Sequence, residues 1–166
     1  MRGIARVFPC ALLLLVTGGP AAFAATATTK MNVTASVTGT CTLASPVALA
    51  FGAYDPIGAN ATANLDVSPN ALTVTCAKGV TAQISLDTGS NAQGTTRRLS
   101  DGTNFLTYEI YTSAARTTVW NTTNTVTYVA SSKAPSPIPV YGRIPSGQDV
   151  AVSSGYADVV NATVTF

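Results

Sequence analysis

Hydrophobic and polar positions alternate most strictly at the end of the chain. Val160, Ala162, Val164 and Phe166 fall on one side, and Asn161, Thr163 and Thr165 on the other. Successive side chains of a strand point to opposite faces, so this spacing predicts a two-faced strand running to the final residue. An aromatic in last place, where many domains fray, predicts that this is a principal core strand. Near the other end, Met31, Val33, Ala35 and Val37 alternate with Asn32, Thr34, Ser36 and Thr38. That spacing predicts a second strand of the same kind.

Between them the pattern is of short strands. Thr42 to Phe51 is an apolar run closed by Gly52, and Asp55-Pro56-Ile57-Gly58-Ala59-Asn60 is turn chemistry. Leu72, Val74 and Cys76 alternate, as do Ala82, Ile84 and Leu86, then Leu106, Tyr108 and Ile110, then Val126, Tyr128 and Ala130. Asp101-Gly102 predicts a turn. Three prolines over 131–139 predict a loop, because proline cannot donate to a central ladder. A short strand is expected from Ile138 to Ile144. No useful helical period and no internal repeat is present. Seven or so short strands divided by Gly, Pro, Asn and Asp clusters predict an all-β sandwich.

Residues 1–24 change the picture by leaving it. Arg2 and Arg6, the apolar run Ala11 to Val16, and Ala22-Phe23-Ala24 read as a cleavable export leader too short to span a membrane. Without those 24, 142 of the 166 residues remain, enough for one domain with a core. The mature chain balances seven Lys/Arg against seven Asp/Glu, which offers no electrostatic footprint for nucleic acid or anionic lipid. Cys10 leaves with the leader. Cys41 and Cys76 then form a single pair, expected as a disulfide in an oxidising compartment.

Candidate chemistry is sparse. The chain has no His, which excludes Ser–His–Asp and Cys–His sites and leaves two Cys unable to complete a zinc shell. Ile84-Ser85-Leu86-Asp87-Thr88-Gly89-Ser90 reads like an aspartic-protease signature. Such an enzyme needs two carboxylates sharing a proton, and no second D-T-G or D-S-G occurs. The spacing is better read as a strand ending in an Asp/Gly turn. Glu109 is the only Glu, with no carboxylate neighbour in sequence for a glycosidase pair. N-x-T triplets at Asn32, Asn60, Asn121 and Asn161 are expected by chance in so Thr-rich a chain. No enzyme activity, cofactor, metal or small-molecule substrate is expected.

One set of residues, taken in order, carries more. Cys41, Phe51-Gly52-x-Tyr54-Asp55, Leu72-x-Val74-x-Cys76, Leu86-Asp87-x-Gly89, Arg97/Arg98, Leu106-x-Tyr108-x-x-Tyr111, Trp120, Val140-Tyr141-Gly142-Arg143-Ile144-Pro145, Gly147-Gln148 and Tyr156-x-Asp158 resemble the spore coat protein U family. That family includes subunits of archaic (Csu-type) chaperone–usher pili. Asn121 departs from it, standing after Trp120 where Gly is usual.

The resemblance implies an incomplete immunoglobulin-like sandwich over 41–166, completed by a donor strand from a partner. It implies an N-terminal arm at 25–40, with Met31, Val33, Ala35 and Val37 as donor side chains. Val160, Ala162, Val164 and Phe166 would then line the groove and meet a chaperone. The implied partners are a periplasmic pilus chaperone, an outer-membrane usher and neighbouring subunits. The implied role is a surface fibre for adhesion and biofilm, reached by way of the periplasm. The alternative is a free-standing secreted coat or adhesive protein with a complete sandwich, in which the arm is an ordinary first strand.

Overall fold

The computed structural model describes residues 23–45, 47–69 and 71–166. Almost all of the expected leader lies outside them. Ten strands occur among the described residues: β1 (Cys41–Ala44), β2 (Leu65–Val67), β3 (Leu72–Cys76), β4 (Thr81–Leu86), β5 (Arg97–Ser100), β6 (Phe105–Tyr111), β7 (Val126–Val129), β8 (Ser136–Ile138), β9 (Tyr141–Ile144) and β10 (Ala162–Thr165). There is no helix among them.

They form three antiparallel sheets, ordered β1-β3-β8, β10-β4-β7 and β2-β9-β6-β5. The alternating apolar positions of β3, β4 and β6 all point inward. Val74, Ala82 and Ile84 are fully buried, and Leu72, Cys76, Leu86, Leu106, Tyr108 and Ile110 nearly so. Ile144 of β9 and Ile138 of β8 join them in one core, so the sheets pack face to face as a sandwich. Trp120 lies in that core. Its backbone N–H donates to Ile110 O and its indole Nε1 to Ile84 O, both at 2.8 Å, which ties β6 to β4.

Three strands depart from the sequence expectation. Residues 136–138 pair with β3 despite Pro137, because β8 is a sheet edge and the missing N–H is no loss there. β5 had no apolar alternation to announce it, since its inward residue is Arg97, only 1% exposed. The terminal strand is no principal core strand. β10 is a half-buried edge, and Phe166 lies beyond it, 58% exposed. Its polar face was read correctly; its depth depends on a neighbour that the edge lacks.

The arm departs as well. Residues 23–40 carry no strand and every one is exposed, with Met31 and Val33 at 82% and Val37 at 92%. Regular pairing begins at Cys41, whose Sγ is bonded to Cys76 across β1 and β3.

Candidate functional site: an open apolar seam

β1 and β10 are both terminal strands of their sheets, and they lie near one another with no ladder between them. The seam between them opens into a cavity of about 490 Å³. One bank is Leu43, Ala44 and Leu49; the other is Val159, Val160 and Ala162. The floor is core: Leu72, Leu86, Tyr108, Ile110 and Val140. A second cavity of about 640 Å³ continues it between residues 48–54 and 150–158. Ala48, Leu49, Phe51, Leu99 and Asp158 belong to both, so the two make one long apolar groove.

Val160 and Ala162 line this groove. Val164 sits farther along β10, opposite Ile84, and Phe166 lies past the strand's end. Met31, Val33, Ala35 and Val37 are exposed, with no apolar partner covering them among the described residues.

Polar contacts join the walls of the groove. Tyr108 Oη donates to Asp158 Oδ2 at 2.7 Å, and Asp158 Oδ1 accepts from the N–H of Asn91 at 3.0 Å. Burial, then the Asp158 carboxylate, pushes the Tyr108 hydroxyl well above its ordinary pKa, so it stays a donor. Gly89, at φ +84°, is required beside this pair, because a Cβ there would stand 2.1 Å from Asp158 Oδ2. Phe51, where the two cavities join, packs edge-on to Tyr108 with centroids 5.8 Å apart. It reaches over β9 only because residue 142 is Gly, where a Cβ would meet its ring at 2.8 Å.

Asp87 is part of the same frame. Its Oδ1 accepts from the N–H of Gly89 and of Asn161, both at 2.9 Å, and its Oδ2 from Asn161 Nδ2 at 2.7 Å. Partial burial works to raise its pKa, but the hydrogen bonds from Asn161 and Gly89 outweigh it and the net shift is downward. The carboxylate that resembled a protease signature is thus a clamp between the end of β4 and the chain entering β10.

Arg97 has the most buried charge. Its Nε and Nη2 donate to Asp87 O, Nη2 also to Trp120 O at 2.8 Å, and Nη1 to Glu109 Oε2 at 3.3 Å. Desolvation raises the Glu109 pKa against the opposing pull of Arg97. Sequence reasoning had Arg97 only as a family marker. The signal that could have found it is an arginine at an inward position of a short strand, which must carry its partners inside with it.

The fold thus defines a class: an all-β sandwich whose seam between two edge strands is open to the core. The chain belongs to the Spore Coat Protein U domain family, whose profile matches residues 27–163. It is 38% identical over 156 residues to Protein U of Myxococcus xanthus, covering 86% of this chain and 87% of that one. Its fold is similar to a chain in the crystal structure of the CsuC–CsuE chaperone–tip adhesion subunit pre-assembly complex from archaic chaperone–usher Csu pili of Acinetobacter baumannii. The TM-score is 0.51 and the identity 18%, over 78% of this chain. This chain spans 40% of the length of that one.

Proposed function

We propose that this protein is a structural subunit of a surface fibre, joined to its neighbours by exchange of strands. The observation that carries the reading is the open groove between β1 and β10, in a chain whose N-terminal arm is alternating and unpaired. A sheet edge offers unpaired N–H and C=O groups, and an apolar seam offers unfilled volume. An extended segment with apolar side chains at every second residue satisfies both.

In this account Met31, Val33, Ala35 and Val37 of one copy enter the groove of the next, beside Val160 and Ala162. Val164 and Phe166 extend that bank. Before assembly a periplasmic chaperone lends the missing strand, and an outer-membrane usher exports the subunit. The leader at 1–24 delivers it to the periplasm, and the cell surface is its destination. Adhesion and biofilm formation are the roles such a fibre would serve. The complex in the Csu structure, a chaperone with a tip adhesion subunit, supports the choice of partners.

The test is a non-reducing gel of surface-sheared material, unheated beside boiled. A ladder of SDS-resistant multimers that collapses to one band on boiling, and is lost on deleting 25–37, is the expected result. A single band in both lanes means a self-sufficient secreted coat protein instead.

A further inference from the structure

We propose that β7 is a docking edge for a second copy of this chain, two β7 strands pairing antiparallel about a two-fold axis through Thr127. The contact is independent of the groove and of strand exchange. A strand at the end of a sheet presents unpaired N–H and C=O groups, and folded proteins blunt such edges with proline, charge or a covering segment. Here β1 and β10 face each other across the groove. β8 contains Pro137 and is flanked by Pro135 and Pro139. β2 is only Leu65–Val67, with Asp66 at its centre and the Arg116 guanidinium donating to Val67 O at 3.2 Å. β5 begins with Arg97 and Arg98, and on its free side Ser100 exchanges backbone hydrogen bonds with Ala157 at 2.9 and 3.0 Å. β7 has none of these protections. No proline and no charge occurs between Arg116 and Lys133, β4 is its one strand neighbour among the described residues, and Val129 is 62% exposed.

The hydrogen-bonding phase of the strand fixes the register. Ala130 is bonded on the β4 side, its N–H donating to Val80 O at 2.9 Å and its carbonyl accepting from the Gly79 N–H at 2.8 Å. Residues of an antiparallel strand turn their backbone groups to one side and the other in alternation, so Tyr128 and Val126 also face β4. Thr125, Thr127 and Val129 face away from it. An axis through Thr127 sets Thr127 against its own counterpart and Thr125 against Val129 at both ends, for about six hydrogen bonds. Within 125–129 an axis through Tyr128 makes fewer such pairs. An axis between two residues makes none, because it opposes Thr127 to a residue whose groups are already spent on β4.

The side chains suit that register. On the outer face Thr127 meets Thr127 and Thr125 meets Val129; on the core face Val126 meets Tyr128, a β-branched residue against an aromatic. The hydroxyls of Thr125 and Thr127 donate to Gln83 Oε1 of β4 at 2.8 and 3.0 Å, which draws them back from the free edge. With no charge on either strand nothing repels a second copy, and one patch serves both partners. A single contact of this kind is small, and it gains strength where copies are already arrayed.

The experiment uses the full chain, exported with its own leader, with one cysteine added and mild oxidation before a boiled, non-reducing gel. Boiling disperses copies held by strand pairing alone, so only a disulfide between copies leaves a dimer. Thr127→Cys is expected to give a reducible dimer, because directly paired residues lie about 5.5 Å apart between Cα atoms, within disulfide reach. Thr81→Cys, as exposed but on the central strand β4, is expected to give none. Val129→Pro, added to Thr127→Cys, removes an edge N–H without breaking a bond inside the sheet and is expected to abolish the dimer. Val129→Lys, which leaves the backbone whole, is expected to do the same. A Thr127→Cys dimer no stronger than that of Thr81→Cys, or one that persists undiminished with Val129→Lys, overturns the proposal.

Discussion

Gln148 completes the β9-facing side of β6 at Thr107, where the β6–β9 ladder has ended. Its Oε1 accepts from the Thr107 N–H at 2.8 Å and its Nε2 donates to the Thr107 carbonyl at 2.9 Å. The β6–β9 ladder pairs Glu109 with Arg143, and two residues farther on the strand partner would be Pro145, which has no N–H to give. The side-chain amide stands in for a strand. Tyr54 Oη braces it, donating to Pro145 O and accepting from the Gln148 N–H, both at 3.0 Å.

Gln148→Ala therefore strips Thr107 of both partners. The expected loss is about 2–3 kcal/mol, from two hydrogen bonds and the desolvated groups left behind. Gln148→Glu keeps the acceptor but turns a carboxylate oxygen onto the Thr107 and Pro145 carbonyls, for a loss at least as large. Urea unfolding of the assembled protein measures both, and a midpoint unchanged in Gln148→Ala contradicts the account.

Cys41–Cys76 ties β1, one bank of the groove, to β3. The bridge spans 35 residues, which by loop-closure entropy amounts to about 4 kcal/mol. Cys41→Ser/Cys76→Ser is expected to lose stability on that scale and to reduce the yield of multimers. Equal yield and equal unfolding midpoint would show that β1 needs no such tie.

Arg97→Lys is expected to cost several kcal/mol although the charge is kept. A single ammonium cannot serve Asp87 O, Trp120 O and Glu109 together, as the guanidinium fork does. Arg97→Ala, which leaves Glu109 without its cation, is expected to cost about 3–5 kcal/mol. Thermal unfolding of the two variants checks both; a loss below about 1 kcal/mol for Arg97→Lys would mean the fork is not needed.

Acid behaviour follows from Asp101. Hydrogen bonds from the N–H groups of Asn104 and Thr103 lower its pKa to about 2. A carboxylate depressed in the folded state stabilises above its ordinary pKa, 3.8 here. That contribution fades as pH falls from about 4 to 2. Asp87 and Asp66, also lowered, act in the same direction, while Glu109, raised by burial, opposes them. Asp101→Asn is expected to be less stable than wild type at pH 6, with the gap narrowing toward pH 2. A gap independent of pH contradicts the assignment.

What could be read in the chain was a matter of faces. Leu72, Val74 and Cys76, or Leu106, Tyr108 and Ile110, show their inward side because two packed sheets bury every second residue. What could not be read was partnership. Met31 to Val37 alternates as well as any strand, yet pairs with none of the described residues, since alternation specifies a face and leaves the neighbour open. β10 was legible as a strand and not as an edge, for the same reason. β2, only Leu65-Asp66-Val67, was too short to show a period, and its Asp66 is turned outward to a two-pronged pair with Arg143 at 2.7 and 2.9 Å. The groove depends on β1 and β10 lying side by side, which neither strand's own pattern states.

Strand exchange requires the arm of one copy to fill the groove of another. Two variants divide those roles: deletion of 25–37 leaves a copy that can only accept, and Val160→Arg/Ala162→Arg leaves one that can only donate. Each exported alone should give no ladder. Exported together, with distinguishable tags, they should give one SDS-resistant band of a mixed dimer and nothing larger, lost on boiling. Absence of the mixed dimer, or a full ladder from either variant alone, would contradict the account.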